Sequence, residues 1–179
     1  AIAVVDINIE EAQRVASEIK KQGRSAHAFK TDVSKRNEVH DLIGKTLEVF
    51  KAIHILVNNA GITRHKPIIE LTEEDWDVVL SVDLKGVFNC TQAVLKHMMY
   101  QRYGKIINIS SLAGLGASNA GMANYAAAKA GVIALTKVTA REAGPYGINV
   151  NCVAPGAIVT SITYEGRGKE GGEKFIEER

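Results

Sequence analysis

Ile53-His54-Ile55-Leu56-Val57-Asn58-Asn59-Ala60-Gly61 is a short apolar run that ends abruptly in a polar, glycine-closed turn. Its near-continuous branched side chains lack the two-residue alternation of a half-solvated strand. The run therefore reads as a strand of a parallel sheet, covered on both faces. The turn after it falls at the strand's carboxyl end, where open parallel sheets bind their ligands.

The same pattern recurs on either side. Ala1 to Val5 is a β-branched run that also reads as a buried strand, and Asp6 follows it. From Ile9 to Gln22 the apolar residues Ile9, Ala12, Val15, Ala16 and Ile19 return every three or four positions, and Gly23 closes the segment as a helix stop. Ser25 to Lys30 is a short strand ending in Thr31-Asp32-Val33. A helix capped near Ser34 follows, with Val39, Leu42, Ile43, Leu47 and Phe50 on one face.

Downstream, Thr72-Glu73-Glu74-Asp75 has capping-box spacing and opens a long periodic segment to about Met99. Lys105 to Ile109 is a strand, followed by a Ser/Gly/Ala-rich loop and an Ala- and Gly-rich helix from Asn124 to Ala143. Ile148 to Val153 is a last strand, closed by Pro155-Gly156. Regular alternation of strand and helix predicts an α/β fold with a doubly wound parallel sheet. No repeat or linker divides residues 1–179, which read as one domain; Tyr164 to Arg179 reads as a surface segment entering a helix.

Composition narrows the partners. The net charge of +2 is spread along helix-like stretches, without the basic stripe that a phosphate backbone requires, so no nucleic acid is expected. No apolar run approaches the roughly 20 residues of a bilayer span and no leader pattern is present, which predicts no membrane partner and a cytoplasmic protein. Cys90 and Cys152 lie far apart among apolar residues and are expected to be reduced core residues. No metal pattern is present.

Polar or glycine residues stand at every predicted strand end: Asp6, Asp32, Asn58 to Gly61, Ser110-Ser111 and Pro155-Gly156. In a parallel sheet these converge on one crevice. Tyr125 and Lys129 are one helical turn apart, so their side chains share a face. A free phenol ionises near pH 10, and a neighbouring ammonium favours the phenolate. Lys129 is thus expected to lower Tyr125 toward the range of a proton-exchanging group. A serine hydroxyl at the end of the preceding strand would polarise a carbonyl. Ser111 is the candidate, with Ser110 the alternative because adjacent strand residues point oppositely. By itself a Tyr-x-x-x-Lys spacing carries little weight.

Taken together, Asn58-Asn59-Ala60-Gly61, Ser111 fourteen residues before Tyr125, Tyr125-Ala126-Ala127-Ala128-Lys129, Asn149-Val150-Asn151 and Pro155-Gly156-Ala157-Ile158 resemble the short-chain dehydrogenase/reductase family. Ile62-Thr63-Arg64 and Ala154-Pro155-Gly156 make the look closest to its β-ketoacyl-acyl-carrier-protein reductases. The resemblance implies a Rossmann-type, three-layer αβα fold and hydride exchange between a nicotinamide dinucleotide and a small-molecule carbonyl or alcohol. A carrier-bound 3-oxoacyl group is one such substrate. It further implies Ser111, Tyr125 and Lys129 as the catalytic set, with Asp83 at the position of the family's catalytic asparagine. Cofactor contacts are implied at Asp32, Val33, Asn59, Ala60, Gly61, Tyr125, Lys129, Pro155, Gly156, Ile158 and Thr160. The two long helices imply a homotetramer.

Three departures qualify the resemblance. Asp6 stands where the family reads the adenosine ribose; a carboxylate there accepts from a free 2′-hydroxyl and repels a 2′-phosphate, which favours NAD over NADP. Its competing reading is a helix N-cap. Asp83 lacks an amide donor and adds charge near Lys129. The family's glycine-rich loop would precede Ala1 and a last strand would follow Arg179, so the fold is expected to be incomplete at both ends. The expected gap beside the Ile53 to Val57 strand is roughly 9 to 10 Å, and the intact mass of the source protein is expected to exceed 19.3 kDa. Two other functions use similar residues: a non-catalytic dinucleotide-binding protein, and an epimerase or dehydratase of the extended relatives, against which the Asn58 to Gly61 turn argues.

Overall fold

The computed structural model describes residues 1–117 and 119–158. Among the described residues five strands, β1 (Ile2–Asp6), β2 (Ala26–Lys30), β3 (Ile55–Asn58), β4 (Gly104–Ile109) and β5 (Ile148–Val153), are connected through five α-helices. The helices are α1 (Ile9–Lys21), α2 (Arg36–Phe50), α3 (Glu73–Leu80), α4 (Gly86–Gln101) and α5 (Ala123–Ala143). Every ladder is parallel, and the expected α/β, Rossmann-type architecture is the one observed.

The sheet is in two pieces. β1 pairs with β2, and β3-β4-β5 form a second ladder, but no ladder joins β1 to β3. This opening lies where the sequence predicted a gap. Its edges correct a different expectation: Ile2, Ile55 and Val57 are 47%, 59% and 53% exposed rather than buried. A strand with an unpaired edge and an uncovered face leaves alternate branched side chains in water. The buried core sits instead under β4 and β5, where Ile106, Ile148 and Val150 pack against Val94 and Met98 of α4 and Ala143 of α5. Ile53, read as a strand residue, precedes β3 and joins this core together with Ile43.

Local capping differs from the sequence reading at two points. Asn8, not Asp6, caps α1 by accepting from the Glu10 and Glu11 amides, and the Asp6 carboxylate accepts from the Asn8 amide at 2.8 Å. Ser34 does not cap α2; its amide and hydroxyl both donate to Asp32 Oδ1, an Asx-type turn that ends the loop one residue before the Lys35 cap position. The capping box of α3 is present, with Thr72 and Asp75 bonding reciprocally.

The predicted helix from Thr72 to Met99 is continuous but contains a π-turn at Ser81–Lys85. Over Glu73–Gln101 it is long and apolar enough, by length and composition, to cross a bilayer, contrary to the reading that no such run exists. Its packing accounts for the composition, since Val79, Val87, Cys90, Val94 and Met98 are buried against the rest of the fold. Cys90 is buried as expected, whereas Cys152 is only partly so, because it sits on β5, the last strand of its ladder; both are free thiols.

Candidate active site

The carboxyl ends of β1, β3, β4 and β5 and the loops behind them surround one cavity of about 730 Å³. Asp6, Asp32 and Val33 line one end. Asn59, Ala60 and Gly61 line the middle, and Ser111, Tyr125, Lys129, Pro155, Gly156 and Ile158 line the rest. Thus one crevice brings together all the predicted contact residues except Thr160, which lies outside the described residues, and Asp83. The cavity also reaches between Val5 and Val57, into the opening between the two ladders.

β4 delivers two serines in opposite directions. Ser110 is buried and its hydroxyl donates to the Lys129 carbonyl at 2.8 Å, so it fastens the strand to α5. Ser111 faces the cavity, caps the 3₁₀ turn Leu112–Leu115 by accepting from the Ala113 amide, and lies near enough to Tyr125 to pull the phenol's ionisation down. The exposed hydroxyl is therefore that of Ser111. That 3₁₀ turn lies directly on α5: a Cβ on Gly114 would sit 2.6 Å from the Lys129 carbonyl carbon, so only glycine permits the approach that sets Ser111 beside Tyr125.

Lys129 is 3% exposed. Its ammonium donates to the Ile109 carbonyl at 3.1 Å, lies 3.2 Å from Asp83 Oδ2, and faces the Tyr125 ring at 5.4 Å from the centroid. Asp83, expected in the catalytic set beside Lys129, stands behind the lysine and outside the cavity lining. It is fully buried at the centre of the π-turn, accepts from the Ile62 amide at 2.8 Å through Oδ1, and turns Oδ2 to the ammonium in an ionic contact without hydrogen-bond alignment. The inserted residue of a π-turn redirects the side chains around it, and such turns are frequent at functional sites.

Burial, the largest influence, pushes the Asp83 carboxyl up, while Lys129 and the Ile62 amide pull it down. The expected lowering of Tyr125 is not found. Burial pushes its hydroxyl above the ordinary phenol value, the Ser111 hydrogen bond pulls it down, and the charge of Asp83 pushes it up again. The physical reason is first that burial disfavours the charged phenolate, and then that Asp83 sets a negative charge beside the cation that was expected to act on the phenol.

Several side chains that hold the site have roles that sequence reasoning did not foresee. Asn58 spends its amide inside the fold, donating to Thr91 of α4 and to Asn108 of β4, and Asn108 donates on to Thr136 of α5. This buried chain ties both helices to the strands at the floor of the crevice. Asn124 donates to the carbonyls of Arg64 and Asp75, and its side-chain oxygen accepts from the Tyr125 amide, which docks the start of α5 on α3. A signal was present in the sequence: Asn108 sits mid-strand in an apolar run, where a polar side chain requires a partner.

An open parallel α/β sheet with a deep crevice at its strand ends, a Ser-Tyr-Lys cluster at one side and an acidic residue after the first strand, defines a dinucleotide-binding domain architecture. A profile of the short chain dehydrogenase family matches residues 1–171, and the chain belongs to that family. It is 46% identical over 154 residues to the 3-oxoacyl-acyl-carrier-protein reductase of Staphylococcus epidermidis, covering 86% of this chain and 63% of that protein. Against the protein of the same name from Synechocystis sp. it is 49% identical over 152 residues, covering 85% and 61%. The chain thus spans less than two thirds of the length of these relatives. Among solved structures, an NAD+-bound xylitol dehydrogenase superposes with a TM-score of 0.87 at 31% identity, over 92% of this chain and 63% of that one. A gluconate 5-dehydrogenase from Burkholderia cenocepacia J2315, in complex with NADP and tartrate, also gives 0.87, at 38% identity over 92% and 64%.

Proposed function

We propose that the protein containing this chain is a nicotinamide-dependent oxidoreductase that interconverts a ketone, or a 3-oxoacyl thioester, and the corresponding secondary alcohol. The observation that carries this reading is the placement of Ser111, Tyr125 and Lys129 together on the wall of a cavity that also reaches Asp6. The donor set suits a dinucleotide: Asp6 and Asp32 at one end would meet adenosine hydroxyl and amino groups, and the Asn59 to Gly61 turn and Ile158 would flank its middle and nicotinamide end. When bound, the dinucleotide supplies or accepts the hydride.

The residues of the chain handle the proton and the oxygen. Tyr125 holds the proton that joins a carbonyl oxygen in reduction and takes it back in oxidation. Ser111, beside Tyr125 on the cavity wall, polarises the same oxygen. Lys129 orients the cofactor-side hydroxyls and presents its charge to the phenol ring. Asp6 supports NAD(H) over NADP(H), because a carboxylate beside a 2′-phosphate is repulsive. The two structural neighbours hold one cofactor of each type. The reductase relatives support a carrier-bound 3-oxoacyl substrate. We place the protein in the cytoplasm and assign self-association to the apolar outer faces of α3, α4 and α5, where Trp76, Phe88 and Val138 are exposed.

The deciding experiment offers the intact protein NADH or NADPH with 3-oxoacyl thioesters, simple ketones and keto sugars, following the absorbance of the reduced nicotinamide. Turnover with at least one substrate, abolished in Tyr125→Phe, is the expected result. Tight dinucleotide binding without turnover on the whole panel would favour a non-catalytic binding protein instead.

A further inference from the structure

We propose that Asp83 is a positioning residue that engages the Lys129 ammonium and thereby keeps Tyr125 as a proton-bearing phenol, setting the site to deliver a proton to a carbonyl oxygen rather than remove one from an alcohol. The proposal rests on the reading of Tyr125 as the proton-exchanging group.

The geometry supporting it is enclosed on every side. Asp83 Oδ2 lies 3.2 Å from Lys129 Nζ, and the two side chains are 0% and 4% exposed. Oδ1 accepts from the Ile62 amide at 2.8 Å, so both carboxylate oxygens face positive or donor groups, which favour the anion against the burial that opposes it. Gly61 roofs the pair: a Cβ there would lie 3.0 Å from Oδ2 and 3.3 Å from Nζ, leaving no room for a screening side chain. In so dry a setting the carboxylate opposes the lysine almost charge for charge.

Four groups surround the phenol. Lys129 faces it from its own helix, Asp83 from the π-turn, and the Ser111 hydroxyl from the loop after β4; His65, in the loop after β3, lines the same cavity. Burial pushes the phenol up most, and the charge of Asp83 acts in the same direction, opposite to Ser111. An amide at position 83 would still accept from Ile62 but would leave the ammonium uncompensated.

The step favoured is balanced. As hydride forms the new C–H bond, the carbonyl π pair moves to oxygen, the Tyr125 O–H bond breaks, and its proton completes the alcohol. The carbonyl is reduced and the reduced dinucleotide oxidised; the phenolate regains its proton from solvent between turnovers.

The test is Asp83→Asn in the intact protein, read in two ways. Rates of reduction and of oxidation are measured against pH. In the variant the alkaline fall of reduction moves to lower pH, and oxidation at neutral pH rises relative to reduction on the order of tenfold. Separately, tyrosinate absorbance is titrated without substrate, as the difference between each protein and its Tyr125→Phe partner. In wild type the Tyr125 component appears above about pH 10, and in Asp83→Asn it appears at lower pH. An unchanged onset in the variant, or a wild-type onset below the ordinary phenol value, overturns the proposal. The titration needs no substrate, and the wild-type onset, read against Tyr125→Phe, can overturn the proposal without the Asp83 variant. A raised wild-type onset that falls in Asp83→Asn, in a protein that turns over nothing, sinks the proposed function while leaving the Asp83 assignment standing.

Discussion

Lys129 Nζ and Asp83 Oδ2 face each other at 3.2 Å with almost no access to solvent. Removing either partner leaves a buried charge alone, which costs far more than the pair itself contributes. Lys129→Met alone and Asp83→Leu alone are each expected to lose about 3 to 5 kcal/mol of stability. The double variant should recover most of that loss while remaining without turnover. Urea midpoints for the three proteins check this; additive losses in the double variant would show that the two groups do not interact.

The two adjacent serines separate structure from chemistry. Ser110→Ala removes a buried donor from the Lys129 carbonyl and is expected to cost about 1 kcal/mol of stability. Ser111→Ala should cost about 0.5 to 1 kcal/mol of stability through the lost cap and lower kcat by roughly a hundredfold or more. Thermal melts and steady-state rates on the same preparations distinguish the two. Equal losses of rate from both substitutions would mean that Ser110 also reaches the reacting oxygen.

Asp75 provides an acid-sensitive fastening for α3. Its carboxyl is lowered from 3.8 to about 2, first by the hydrogen bond from Lys66 and then by that from Thr72. A carboxyl whose folded value is depressed contributes stability that is complete above the unfolded value and is lost as pH falls through the folded one. Wild-type stability should therefore decline from about pH 4 toward pH 2 in part through this group. Asp75→Asn should flatten that decline. Urea midpoints taken at intervals across this range measure the slope; an unchanged slope in the variant would remove Asp75 from the account.

Asp6 is exposed and lines the end of the cavity remote from Tyr125. Asp6→Ala is expected to narrow the preference for NADH over NADPH by about tenfold, chiefly through KM for NADPH, because one repulsive charge is removed. The ratio of kcat/KM for the two cofactors is the measurement. A wild-type preference for NADPH would overturn the assignment of Asp6 as a selector and leave its bond to the Asn8 amide as its role.

Most of the element pattern was legible because it is local. β5 and the body of α5 fall where their runs predict, and the capping box at Thr72 and Asp75 forms as its spacing requires. Strand ends were displaced by a residue or two where burial rather than periodicity decides, as at Ile53, which is core without being strand. The amphipathic period gave no warning of the π-turn at Ser81–Lys85, since an inserted residue leaves the apolar composition intact.

The pairing of Tyr125 with Lys129 was set by the chain itself, because a four-residue separation on a helix stacks two side chains whatever surrounds them. So was the convergence of Asp6, Asp32, the Asn59 to Gly61 turn and Pro155-Gly156, because consecutive parallel strands present the same ends to one side. Tertiary structure alone decided which serine faces the cavity, that Asn58 is a strut within the floor, and that Asp83 and not Tyr125 is the first partner of Lys129. The reason is physical: the direction in which a phenol's proton affinity moves depends on summed desolvation and charge at a few ångströms. Those distances are set by segments remote in sequence that only the packed fold brings together.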